Sequence, residues 1–125
     1  MILVDTSVWV DHLRRGEAQL AGLLDRGVVA VHPFVVGKIA CGSLADRVAV
    51  LELFQQLATV TVADHDEELA FIERRRLHGR GIGYVDANLL ASVALTHGAR
   101  LWTRDRRLHS VAEDLGLAMT EPNAH

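Results

Sequence analysis

The sequence predicts an α/β fold: a central parallel sheet of four to five strands covered by helices on both faces. Short, mainly apolar runs at residues 2–4, 28–31, 60–62 and 99–103 read as strands buried on both sides, most plainly the unbroken apolar runs at 2–4 and 28–31. Helical patterns separate each run from the next, as parallel connections require. At 125 residues, half of them apolar, the chain is long enough for a self-sufficient core, and one domain spanning residues 1–125 is expected.

The elements follow in order. Residues 2–4 form the first strand, and Asp5, Thr6 and Ser7 offer caps for a helix over 8–15. A second helix over 17–26 is closed by Gly27, and the β-branched run at 28–31 is the second strand. Pro33 suits the first turn of a helix from 34 to about 43, and Asp46 is placed to cap the next, to 57. Residues 60–62 are the third strand. Asp64 begins a helix carrying Leu69, Ile72 and Leu77, which ends near the loop of Gly79, Gly81 and Gly83. Asp86 starts the clearest helix, in which Leu90, Val93, Ala94 and His97 share a face by helical spacing and Gly98 ends it. Residues 99–103 are the fourth strand, 105–115 a helix and 117–119 a candidate fifth strand; the tail after Pro122 is expected to fray.

Three acids lie against strongly apolar sequence: Asp5 in MILVD, Asp86 in IGYVDANLLA and Asp105 in RLWTRD. Ligands of a parallel sheet collect beyond the carboxyl ends of its strands, where Asp5 and Asp105 both fall. Each acid taken singly is equally a helix cap or a first-turn acid. Taken together they form a buried cluster that needs positive charge, because an isolated buried carboxylate is costly. Mg²⁺ or Mn²⁺ suits such oxygen donors. Zinc is poorly supported: the seven histidines show no i, i+3 or i, i+4 pairs, and Cys41 is the single cysteine.

Lys38 is the chain's one lysine beside twelve arginines, and the one charge within residues 27–45. It stands where a fourth carboxylate would complete the cluster. The formal net charge of −3 argues against a uniformly basic nucleic-acid binder, yet Arg74, Arg75, Arg76 and Arg80 form one basic cluster and Arg104, Arg106 and Arg107 another. Arg80, Arg104 and Arg106 are therefore candidate RNA phosphate contacts, with a solvated helix face as the plainer reading of either run. The glycine loop lacks the Lys–Ser/Thr of a phosphate loop and follows no strand. Trp9, Phe34, Leu53 and Trp102 read as core or dimer surface, and His12 and His32 as surface or capping residues. The opening has no basic leader and no uncharged window reaches the length of a membrane span, so a cytoplasmic location is expected.

Four segments carry a resemblance to a known family. ILVDTSVWVDHLR, HPFVVGKIACG, IGYVDANLLAS and LWTRDRRL resemble, in order, the four motifs of the PIN-domain ribonucleases, and specifically those of VapC-type toxins of bacterial toxin–antitoxin pairs. The resemblance spans nearly the whole chain. It implies a PIN-like three-layer α/β/α sandwich, with Asp5 and Asp86 as principal metal-binding acids, Asp105 as a further acid and Thr103 as a nearby polar contributor. It further implies Mg²⁺- or Mn²⁺-dependent cleavage of RNA, including structured RNA such as tRNA, a homodimer, and neutralisation by a cognate VapB-type antitoxin. Lys38 departs from the pattern, standing at the second motif's glutamate. Pairing of its ammonium with Asp5 or Asp86, and a severe cut in metal affinity and cleavage, are expected. A single base change separates Glu from Lys codons, which favours a substitution, engineered or selected, that silences a toxic protein; a natural variant whose lysine reaches solvent along a helix edge is the alternative. A silent PIN domain that binds antitoxin or RNA is the second functional reading. A phosphoryl-accepting domain is disfavoured, because Asp5, Thr6 and Ser7 lack the second adjacent acid such sites use.

Overall fold

A computed structural model describes residues 1–120, and the fraying expected after Pro122 lies outside the described residues. The chain runs β1 (Ile2–Val4), α1 (Thr6–Arg15), α2 (Ala18–Asp25), β2 (Val29–Val31), α3 (Pro33–Cys41), α4 (Arg47–Gln56), β3 (Ala58–Thr59), α5 (His65–Arg75), α6 (Tyr84–Leu95), β4 (Arg100–Trp102) and α7 (Arg106–Asp114). The sheet order is β3-β2-β1-β4 with every pairing parallel. Helices flank it in the three-layer arrangement of a PIN-like α/β/α fold. Leu3, Val4, Ala30, Leu101 and Trp102 of β1, β2 and β4 are buried, as two-sided cover demands. Trp9 and Trp102 are fully buried, Trp9 standing edge-on to Phe54 with ring centroids 4.8 Å apart. Among the described residues, no helix is long and apolar enough to cross a membrane.

Two strands differ from the sequence expectation. The third occupies residues 58–59 instead of 60–62: Ala58 and Thr59 pair with Ala30 and Val31. The Val60 N–H still reaches the Val31 carbonyl at 3.1 Å, but the next donors leave the ladder, Thr61 for Thr96 Oγ1 at 2.9 Å and Ala63 for Ser92 Oγ at 3.0 Å. The β-branched run thus marks a buried Val60 and an exposed Val62, not the ladder. The expected fifth strand is one parallel bridge between Leu101 and Ala118, held by Leu101 N–H to Leu117 O at 2.7 Å and Met119 N–H to Leu101 O at 2.8 Å.

The helices carry corrections of their own. On α5 the buried face holds Glu68 and Phe71, while Leu69 points to solvent. On α6 seven consecutive residues, Ala87 to Val93, are buried, so this helix is enclosed on all sides for two turns. The expected face stops short of Ala94 and His97, which are exposed; the helix ends at Leu95 and Thr96 is already extended. Asp46 sits at the start of α4 but its side chain caps nothing, its backbone being left-handed at φ 58°. Asp64 caps α5 in full: its carboxylate accepts from Glu67 N–H at 2.8 Å and Glu67 returns a bond to the Asp64 N–H at 2.9 Å. Asp64→Ala is expected to cost about 1 kcal/mol in a denaturant titration, and an unchanged midpoint would mean water replaces the cap.

Candidate active site

The strand order places β2 and β3 on one side of β1 and β4 on the other, so the chain reverses its direction of sheet building between β1 and β4. At such a switch point the connections diverge and leave a crevice beyond the strand ends. Asp5 follows β1 and Thr103 follows β4, both at that edge. Asp5 occupies the cap position of α1, yet its side chain caps nothing. Oδ2 instead accepts from Thr103 Oγ1 at 2.7 Å and Ser7 Oγ at 3.1 Å, while the Asp5 N–H extends the ladder to Trp102 O at 2.9 Å. Oδ1 takes no hydrogen bond among the described residues. Asp5 is 7% exposed, so the capping reading fails for it and a carboxylate is held across two strands with one oxygen unspent.

Asp86 lies in the first turn of α6, half-buried. Burial holds its proton above the ordinary carboxylate range, the charges of Asp5 and Asp105 push it further in the same direction, and Lys38 opposes them. Four groups from β1, α3, α6 and the start of α7 therefore address one space. They do so unequally. Asp105 is exposed and spends Oδ1 on the Leu108 N–H at 3.0 Å, so the capping reading holds for it alongside its effect on Asp86. Lys38, in the last turn of α3, is exposed and makes no ion pair with any carboxylate among the described residues; the expected pairing with Asp5 or Asp86 is absent, and its influence acts through space. Among the described residues no three His, Cys, Asp or Glu side chains are drawn together closely enough to hold a metal ion. The donors suit a hard divalent cation in type, being carboxylates in mutual repulsion. They fall short in number, since Asp105 caps a helix and residue 38 is a lysine.

The arginines sort differently from expectation. Arg104 is a buttress: its guanidinium bonds Asp11 at 2.7 Å and Glu17 at 2.6 Å and lies over the Trp102 ring at 5.6 Å. The same hydrogen bonds hold the Asp11 and Glu17 carboxyls below their usual range, with Arg15 adding to the effect on Asp11. Arg80 pairs with Asp114 at 2.6 Å, at the opposite end of α7 from Asp105, and so is not gathered at the acid centre. The glycine loop seats Arg107: a Cβ on Gly81, where φ is +82°, would meet Arg107 Cδ at 2.9 Å. Arg106 is exposed in the first turn of α7 and lines a cleft of about 680 Å³ with Trp102, Thr103, Arg104, His109 and Met119. Of the three arginines expected to contact RNA, it alone stays beside the acids with no charge partner among the described residues.

The family model described as PIN domain matches residues 2–114. The chain belongs to the PIN-domain family. Within it, the chain is 52% identical over 121 residues to proteins named Ribonuclease VapC32 from two strains of Mycobacterium tuberculosis, CDC 1551 / Oshkosh and H37Rv. The match covers 97% of this chain and 98% of each relative, which makes it a VapC-type PIN domain. Its fold also matches the crystal structure of PAE2754 from Pyrobaculum aerophilum, with a TM-score of 0.60 at 21% identity over 94% of this chain and 87% of that one.

Beneath the acid edge of this PIN domain lies a polar network that sequence reading missed. Asn88, 2% exposed, is its hub. Its Oδ1 accepts from Ser92 Oγ at 3.1 Å and lies 2.7 Å from His32 Nε2, and its Nδ2 donates to Glu68 Oε1 at 2.7 Å and Ala63 O at 3.0 Å. His32 Nδ1 accepts from the Phe34 N–H at 3.0 Å, so Nε2 is the protonated nitrogen of the neutral ring and donates to Asn88. Burial drives the His32 pKa down, against the Asn88 bond, which favours that neutral form. His32 caps α3 as expected but is wholly enclosed, not a surface residue. The network ties the start of α3, the exit from β3, and α5 to α6, two residues beyond Asp86. Its sequence signal is Asn88 and Ser92 at i, i+4 in an otherwise apolar helix. Asn88→Ala strands Glu68 and His32 in the interior and is expected to cost about 2–3 kcal/mol in chemical denaturation; a loss under 1 kcal/mol would mean water fills the gap.

Proposed function

We propose that the chain, acting as one PIN domain over residues 1–125, is the toxin of a toxin–antitoxin pair and an endoribonuclease that, like VapC nucleases in general, depends on a divalent metal. The observation that carries this reading is the meeting of Asp5, Asp86 and Asp105 beyond the switch point of the sheet, near enough that the charges of Asp5 and Asp105 add to burial in raising the Asp86 pKa. Asp5 and Asp86 would hold Mg²⁺, or Mn²⁺ in its place, with Asp105 at the rim. When bound there, the ion would supply an activated water at neutral pH and offset charge developing on the scissile phosphate. Thr103 and Ser7 hold one oxygen of Asp5 and so fix the direction of the other. Arg106 offers a phosphate contact beside the centre, whereas Arg80 and Arg104 are engaged elsewhere. Lys38 contributes no ligand while protonated and repels a cation, which lowers metal affinity and cleavage.

The partners that follow are RNA, tRNA-like substrates included, a VapB-type antitoxin, and a second copy of the chain, all in the cytoplasm and without a membrane. A second reading rests on Lys38 and the incomplete ligand set: a silent PIN domain that still captures antitoxin or RNA. Cleavage of total tRNA with Mg²⁺ or Mn²⁺, by this chain and by Lys38→Glu, each with and without EDTA, separates the two. Divalent-dependent cleavage by the chain itself supports the nuclease, and cleavage by Lys38→Glu alone means an acid-centre nuclease that residue 38 silences in this chain. No cleavage by either protein on any RNA offered would leave the binding module.

A further inference from the structure

The outer faces of α1 and α3 meet beside the acid centre and enclose a cavity of about 290 Å³, lined by Thr6, Val10, Arg14, Lys38, Ile39 and Gly42 among others. Its charged lining is all cationic. Arg14 and Lys38 are both exposed and neither forms an ion pair or hydrogen bond among the described residues, while no acid lines the cavity. The neighbouring cations of this side are spent: Arg15 on Asp11 at 3.0 Å, and Arg104 on Asp11 and Glu17. Two free cations around one hollow that no acid lines call for an anion, since charge-assisted bonds from guanidinium and ammonium groups are strongest to phosphate or carboxylate oxygens. The hollow holds about ten water volumes, room for a phosphate and its ribose. Thr6 adjoins Asp5 in the chain and the Lys38 charge reaches Asp86, so the anion would lie next to the acids.

We infer that this cavity is a phosphate subsite for the RNA strand, in which Lys38 and Arg14 grip a backbone phosphate neighbouring the one at the acid centre. The inference rests on the reading of the chain as an RNA-acting PIN domain. Lys38 then acts in two directions: it repels the metal and holds the substrate. Lys38→Glu raises turnover while weakening RNA binding, a split that a purely inhibitory lysine does not produce.

The test measures binding of a fluorescently labelled single-stranded RNA in EDTA over a series of salt concentrations, for the chain itself, Lys38→Ala, Arg14→Ala and Arg26→Ala. Arg26, an exposed residue at the end of α2, controls for loss of charge in general. Removing a true phosphate contact flattens the slope of log affinity against log salt by about 0.7 and weakens binding about three- to tenfold. Lys38→Ala and Arg14→Ala are each expected to do so and Arg26→Ala to leave both unchanged. Unchanged slopes in the first two, equal flattening in all three, or no RNA binding by the chain itself would overturn the subsite. Because binding is read without divalent ion, slopes of the expected kind in a chain that cleaves nothing remove the nuclease reading alone, and cleavage with unaltered slopes removes the subsite alone.

Discussion

Lys38→Glu is expected to raise divalent-dependent cleavage of RNA by about a hundredfold. On the proposed reading, the substitution would replace a cation that opposes metal binding with a carboxylate that joins Asp5 and Asp86 as an oxygen ligand, a change of two charge units at the edge of one site. Lys38 is exposed and unpaired among the described residues, so stability should stay within about 0.5 kcal/mol and the gain cannot be a folding effect. The pH profile gives a second readout. Lys38 now lowers the Asp86 pKa against the upward push of burial, Asp5 and Asp105. A glutamate adds a third like charge, so the carboxyl keeps its proton to higher pH and the acid limb of the rate profile moves upward. Cleavage assays with Mg²⁺ from acid to neutral pH check both. Equal rates for the two proteins throughout would mean that Asp5, Asp86 and Asp105 suffice and that the lysine is tolerated.

The parts of this fold legible in the sequence are those with a local cause. Apolar runs locate β1, β2 and β4 because strands buried on both faces need continuous apolar side chains, and Asp64 with Glu67 marks a helix start because a capping box is a contact between near neighbours. β3 was misplaced by two residues since its pairing is decided by backbone donors that turn away to Thr96 and Ser92, far along the chain. The acids split on the same line. Asp5, Asp86 and Asp105 stand out against apolar sequence, but whether a carboxylate caps its own helix depends on what lies across the sheet: Thr103 turns Asp5 away from α1, and nothing does the same for Asp105. Arg104 and Arg106, two residues apart in one basic cluster, part company for the same reason, because Asp11 and Glu17 come from α1 and its exit to meet the first of them. Basic composition reveals the field of the cluster, not which guanidinium is free.

Asp86→Asn is expected to reduce cleavage by about a thousandfold, measured in the Lys38→Glu protein where activity is high, and at the same time to stabilise the fold at neutral pH. The two effects have one origin. The folded-state pKa of Asp86 is raised by burial and by Asp5 and Asp105, so its contribution to stability is fully present below its unfolded value and is lost as pH rises through the folded one. Asparagine keeps the shape and never ionises. Thermal melts of the two proteins should therefore nearly coincide in acid and separate towards neutrality, with Asp86→Asn the higher by about a few degrees. Mg²⁺ is expected to close the gap from the other side: a cation that binds the folded state alone would raise the melting temperature of the Lys38→Glu protein as its concentration passes the dissociation constant, and leave the Asp86→Asn form where it was. A site that is strained while empty and relaxed when charged with a cation gives both signs. A melt lowered by Asp86→Asn at neutral pH, with equal response to Mg²⁺ in the two proteins, would place Asp86 among the structural residues of α6 and leave the acids without a common cation.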